Sequence, residues 1–96
     1  MSRLKYTQRS LRDLNRLHNF LLEKSPKAAR LAIQAIRKGL NLLNQHPEIG
    51  RPVADLTVAL REWVIEFGNG AYIVLYRIEG MDVVVLAIRH GREAGY

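Results

Sequence analysis

The stretch "LREWVIEFGNGAYIVLYRIEGMDVVVLAIRH" (Leu60–His90) decides the fold. Three runs rich in β-branched and aromatic residues are separated by two glycine-bearing breaks, "GNG" (68–70) and "EGMD" (79–82). Such side chains suit a pleated surface, and such breaks close hairpins. The stretch predicts a meander of three antiparallel strands. Asn69-Gly70 suits a two-residue turn in which both positions take positive φ, and Gly80-Met81 suits the primed turn with glycine first. The first of these turns sets Phe67 against Tyr72, Ile65 against Val74 and Trp63 against Tyr76. It also sets Glu62 against Arg77 as a cross-strand charge pair. A three-residue Gly68–Gly70 loop instead swaps the faces of the second strand.

In the two-residue register the aromatic residues share one face. The other face carries Val64, Ile73, Leu75, Leu86 and Ile88. An antiparallel sheet with one wet face alternates apolar and polar residues. The second and third runs are apolar on both sides, and that property survives either register. A contiguous exposed aliphatic patch marks a partner site.

The N-terminal half supplies cover for one side only. "RLKYT" (Arg3–Thr7) alternates and reads as a short strand that joins one sheet edge. Thr7 is placed to cap a helix over Gln8–Lys24, whose Leu11, Leu14, Leu17, Leu21 and Leu22 make an apolar face. His18 borders that stripe and reads as a rim histidine, because no second ligand lies at helical spacing. Ser25-Pro26 restarts the helix, serine as cap and proline in the first turn. Ala29, Ala32, Ile33, Ile36, Leu40 and Leu43 then recur at core spacing. Gly39 inside this helix costs roughly 1 kcal/mol relative to alanine, which implies close packing against the sheet. Pro47 ends the helix near Gln45 or His46, and "HPEIGRPVADL" (46–56) reads as a loop. The expected architecture is α+β: an N-terminal helical hairpin packed on a small antiparallel sheet of three to four strands, in a single domain over residues 1–96.

The composition narrows the function classes. The chain has no cysteine, which excludes disulfides and thiolate metal sites. No apolar run approaches the length of a membrane span, and the polar N-terminus has no signal-peptide core. The expectation is a cytoplasmic protein with no membrane partner. The net charge of +6 attracts polyanions. Phosphate-binding loops, zinc-protease helices, nucleophile elbows and dinucleotide fingerprints are all missing from the sequence, so no cofactor is expected. His18, His46 and His90 are at unrelated spacings and make a weak metal case.

The best candidate for chemistry is the C-terminal cluster "RHGREAGY" (89–96). Metal-free RNA cleavage needs a base, an acid and cations for the developing phosphorane charge. His90 suits base or acid, Arg61, Arg89 and Arg92 suit phosphate, and Tyr96 suits stacking on a nucleobase. The competing readings are a wet, basic strand end and an electrostatic dock for an acidic protein.

The short strand, "TQRSLRDL" (7–14), the helical hairpin, "HPEIGRP" (46–52), the strand-opening Arg61, "YIVLYRI" (72–78) and "RHGRE" (89–93) occur in an order that resembles the RelE/ParE superfamily of bacterial toxins. The resemblance implies one half of a toxin–antitoxin pair, with an acidic cognate antitoxin that wraps the toxin and covers the aliphatic face. It also implies one of two activities. RelE-like members cut mRNA in the ribosome, and His90, Arg92 and Tyr96 would then be the catalytic residues. The lysines such members carry on the first meander strand are replaced here by Val64 and Glu66, and their arginine on the next strand by Ile73. ParE-like members are non-enzymatic poisons of DNA gyrase, and "HPEIGRPV", "LREW" and "RHGRE" lean towards them. On that reading Arg61, Arg89, His90 and Arg92, with Ile73, Leu75, Leu86 and Ile88, contact the target or the antitoxin.

Overall fold

Thr7 links the first strand to the first helix and ties both to the far end of the chain. The computed structural model describes residues 3–54 and 59–93. The elements are β1 (Arg3–Tyr6), α1 (Gln8–Lys24), α2 (Pro26–Gln45), β2 (Arg51–Val53), β3 (Leu60–Phe67), β4 (Gly70–Glu79) and β5 (Asp82–His90). The Thr7 hydroxyl accepts the Ser10 amide at 3.1 Å and lies 3.0 Å from the Leu86 carbonyl, to which it donates. One side chain thus caps α1 and anchors it to β5. Ser25 repeats the capping role for α2, accepting the Ala28 amide at 3.2 Å, with Pro26 in the first turn.

The sheet has five strands in the order β1-β5-β4-β3-β2. The three long strands form the expected meander, and the sheet is larger than three to four strands because Arg51–Val53, read as loop, pairs with β3. It is mixed and not wholly antiparallel: β1 runs parallel to β5, with Leu4 beside Val83 and Tyr6 beside Val85. The helical hairpin between β1 and the meander returns the chain far enough for a parallel edge.

The first turn is displaced by one residue from the expected position. Gly68 and Asn69 close it, Gly68 takes φ +58° and Asn69 does not go positive, so Phe67 pairs with Gly70 and Ile65 with Tyr72. A glycine at the first turn position accepts that conformation freely. Gly70 is used in the strand instead, where a Cβ would stand 2.9 Å from the His90 imidazole. Glu62 consequently lies opposite Leu75 and not Arg77; it pairs with Arg51 at 3.0 Å, while Arg77 pairs with Glu79. The shift preserves parity, so the division of faces expected for β3 and β4 stands.

Both helices cover that aromatic face. The core joins Leu17, Ile36, Leu40 and Leu43 to Ile65, Tyr72, Val74, Tyr76, Val83 and Val85. Leu11 and Leu22, expected on the apolar face of α1, are instead 48% and 44% exposed. At about 100° per residue both fall on the same side of the helix, well round from the stripe that contains Leu17. Gly39 performs the packing expected of it: a Cβ there would lie 2.5 Å from Ile65, and the Gly39 carbonyl accepts the Trp63 indole N–H at 3.0 Å.

A β-bulge reverses the sense of β5. Tyr76 pairs with Val85, but Leu75 pairs with Ala87, leaving Leu86 as the extra residue. An inserted residue flips the parity of everything after it. Ile88 therefore joins Val83 and Val85 on the helix-facing side, fully buried, and is not on the outer face where the unbulged pattern put it.

Candidate functional site at the end of strand β5

The outer face of the sheet is aliphatic in the middle and charged around it. Val64 is 41% exposed, and Ile73, Leu75 and Leu86 are half-buried. Val84 and Ala87 on the same face are buried, Val84 lying between Lys5 and Arg77 in the strand register. Around this strip stand the Arg51–Glu62 pair, Arg77 with Glu79, and Asp82 with Arg3 and Lys5. Burial alone would raise the Asp82 pKa, but the Lys5 hydrogen bond and the charges of Arg3 and Lys5 overcome it and hold the carboxyl below its ordinary value.

At the end of β5 the chain knits itself into a tight turn. The Glu93 carboxylate accepts the His90 amide at 2.7 Å and pairs with Arg16 of α1. The Glu93 amide donates to the His90 carbonyl at 3.0 Å. His90 Nδ1 accepts the Arg92 amide at 3.1 Å, which leaves Nε2 as the N–H position. The His90 ring stands edge-on to Tyr72, centroids 5.4 Å apart, with Nε2 packed over Gly70. Burial, and secondarily the charge of Glu93, push the Tyr72 phenol up.

The arginines divide by what they hold. Arg89 donates to the carbonyls of His90 and Glu93 at 3.3 and 3.1 Å. Arg61 donates to the carbonyls of Glu48 and Gly50 at 3.1 and 2.7 Å. Arg61 is not part of the C-terminal cluster: it pairs with Tyr76 while His90 pairs with Tyr72, roughly 13 Å apart along β4. Arg92 is exposed, and its guanidinium makes no bond among the described residues. Tyr96 lies outside the described residues. Of the expected base, acid and cation set, the fold unites His90, Arg89 and Arg92 among the described residues, and His90 and Arg89 are engaged in holding the turn.

Residues 4–95 match the family of ParE toxins of the type II toxin–antitoxin system parDE. This protein belongs to that family. Toxin RelE1 of Caulobacter vibrioides is 40% identical over 88% of either chain. Toxin RelE3 of the same organism is 36% identical over 88% of this chain and 89% of its own. Toxin ParE3, also of Caulobacter vibrioides, is 33% identical over 83% of this chain and 77% of its own. The solved chromosomal ParDE TA system from P. aeruginosa has the same fold, with a TM-score of 0.74 at 22% identity over 94% of this chain and 96% of that one. The ParE-family chain described here is thus a type II toxin with a helical hairpin on one side of its sheet.

Sequence reasoning placed the charge of interest in the C-terminal cluster and missed where the surplus lies. The two helices carry eight cations against two carboxylates; the rest of the chain carries seven of each. The whole net charge of +6 therefore resides on the hairpin. The signal was present in α2, which contains no Asp or Glu, but it emerges only when charge is counted element by element.

Proposed function

We propose that this toxin stops growth by binding DNA gyrase, without cutting RNA, and that a cognate acidic antitoxin neutralises it by covering the aliphatic strip of Val64, Ile73, Leu75 and Leu86. The observation that carries this reading is the engagement of the C-terminal cluster. A general base needs a free nitrogen within reach of substrate, but His90 has Nδ1 bonded to the Arg92 amide and Nε2 packed over Gly70. Arg89 holds backbone carbonyls of its own turn. Glu62 and Glu66 stand on the strand where phosphate-binding cations would be wanted.

The test is a supercoiling assay with purified gyrase. The toxin is expected to block supercoiling and to accumulate cleaved DNA, and His90→Ala is expected to keep that effect. Gyrase left fully active at high toxin excess refutes the reading. Two relatives carry the RelE name, which favours ribosome-dependent mRNA cleavage as the second reading. Site-specific cuts in translating message, abolished by His90→Ala, would establish it.

The antitoxin contact has its own measurement. Leu75→Glu is expected to abolish co-purification with the antitoxin while leaving growth inhibition intact. Undiminished co-purification would remove the strip from the interface.

A further inference from the structure

We infer that α2 is a duplex-DNA-binding helix, laying its solvent face against the major groove and its cations on the flanking phosphates. The face is built from Lys27, Arg30, Gln34, Arg37, Lys38 and Asn41, all exposed. They recur three and four residues apart, so they form one stripe along the helix. The opposite side, through Ala29, Ala32, Ile36, Leu40 and Leu43, is buried and holds the helix rigidly on the sheet.

Three observations set the occupant. First, the stripe contains cations and carboxamides only. These are the side chains that hydrogen-bond phosphates and base edges, and α2 offers no carboxylate to repel a phosphate. Second, none of the four cations is spent: no ion pair among the described residues involves Lys27, Arg30, Arg37 or Lys38. The surplus charge of the chain is concentrated on this hairpin, while the remainder of the chain, strands and loops together, sums to zero. Third, the stripe itself has no apolar member: Leu31 and Leu42 of α2 border it as single exposed side chains, not as the dry apolar centre that a protein partner needs, and the continuous aliphatic strip is on the other face of the sheet. A helix of 20 residues, about 30 Å long, fits the wide major groove of B-form DNA. The deep, narrow major groove of A-form RNA shuts it out. The inference does not depend on gyrase, because it concerns the protein and DNA alone.

Fluorescence anisotropy with a labelled 20-base-pair duplex of arbitrary sequence tests it. Neutralising four phosphates predicts a plot of log affinity against log salt with a slope of roughly −3 to −4, about a hundredfold loss between 50 and 200 mM. The variant with Lys27→Gln, Arg30→Gln, Arg37→Gln and Lys38→Gln keeps helix-forming side chains and is expected to bind at least tenfold more weakly with a nearly flat slope. Arg30→Gln and Arg37→Gln singly should each reduce the slope by about one. The control variant Arg3→Gln, Lys5→Gln, Arg51→Gln, Arg77→Gln removes the same charge from the sheet and should keep the wild-type slope. The proposal is overturned if wild-type protein fails to bind the duplex at 50 mM salt, or if the sheet variant loses as much as the helix variant. Equal affinity for an A-form RNA duplex also overturns it.

Discussion

The phenol oxygen of Tyr76 lies 2.9 Å from the Gly50 amide nitrogen and 2.6 Å from the Pro47 carbonyl oxygen, accepting from the first and donating to the second. Tyr76 is fully buried, so the "HPEIGRP" segment is clasped to the middle of the sheet through one hydroxyl. Tyr76→Phe leaves a buried donor and acceptor unpaired and is expected to cost about 1–3 kcal/mol. Urea denaturation checks this, and an unchanged midpoint would show that the loop satisfies itself by other means.

The same phenol sets an alkaline limit. Burial raises Tyr76 above its ordinary pKa of 10.0, against the lowering effects of the Gly50 hydrogen bond and Arg61; burial also raises Tyr6 and Tyr72. The folded state therefore holds these protons when the unfolded chain has lost them. Stability is fully present below the ordinary phenol pKa and falls as pH rises beyond it. Thermal melts are expected to drop above about pH 10, less steeply in Tyr76→Phe. Phenols that titrate together at their ordinary pKa without loss of stability would contradict this.

Gly39 tests the helix–sheet contact. Alanine there gains about 1 kcal/mol of helix propensity but drives a methyl to 2.5 Å from the buried Ile65, an overpacking worth about 1–3 kcal/mol. Gly39→Ala is expected to destabilise on balance. Ile65→Ala should cost less in that background than in wild type, and simple additivity in the double-mutant cycle would disprove the contact.

Asp13 stabilises the bulge. Its carboxylate accepts the Ile88 amide at 2.9 Å, just past the point where the ladder is broken. Asp13→Ala is expected to cost about 1.5–3 kcal/mol, as for a hydrogen bond to a charged group. Asp13→Asn retains an acceptor and should recover part of the loss. Hydrogen exchange at Ile88 supplies the local readout, with faster exchange expected in the alanine variant.

Much of the fold was legible in the sequence because its causes are local. Thr7 and Ser25 announce helix starts by their hydroxyls, Pro47 announces a stop, and the leucine and isoleucine spacing of α2 marks its buried side. The aromatic face of β3 and β4 followed from alternation alone, and it survived a turn displaced by one residue because the pairing moved by an even step. The charge stripe of α2 was equally present in the sequence, in a helix without a carboxylate.

Other features became fixed only in three dimensions. Nothing near Leu86 in sequence marks it as the extra residue; the bulge exists where Thr7 and Asp13, more than seventy residues upstream, bond to Leu86 and Ile88. That long-range pairing reversed the face of Ile88 and moved it from a supposed contact surface into the core. The parallel docking of β1, the pairing of Arg51–Val53 as a strand and the engagement of His90 and Arg89 in a closed turn are of the same kind. Local chemistry selects which residues become helix or strand, whereas parity beyond a bulge and the partner of each polar group depend on segments that meet only once the chain has folded.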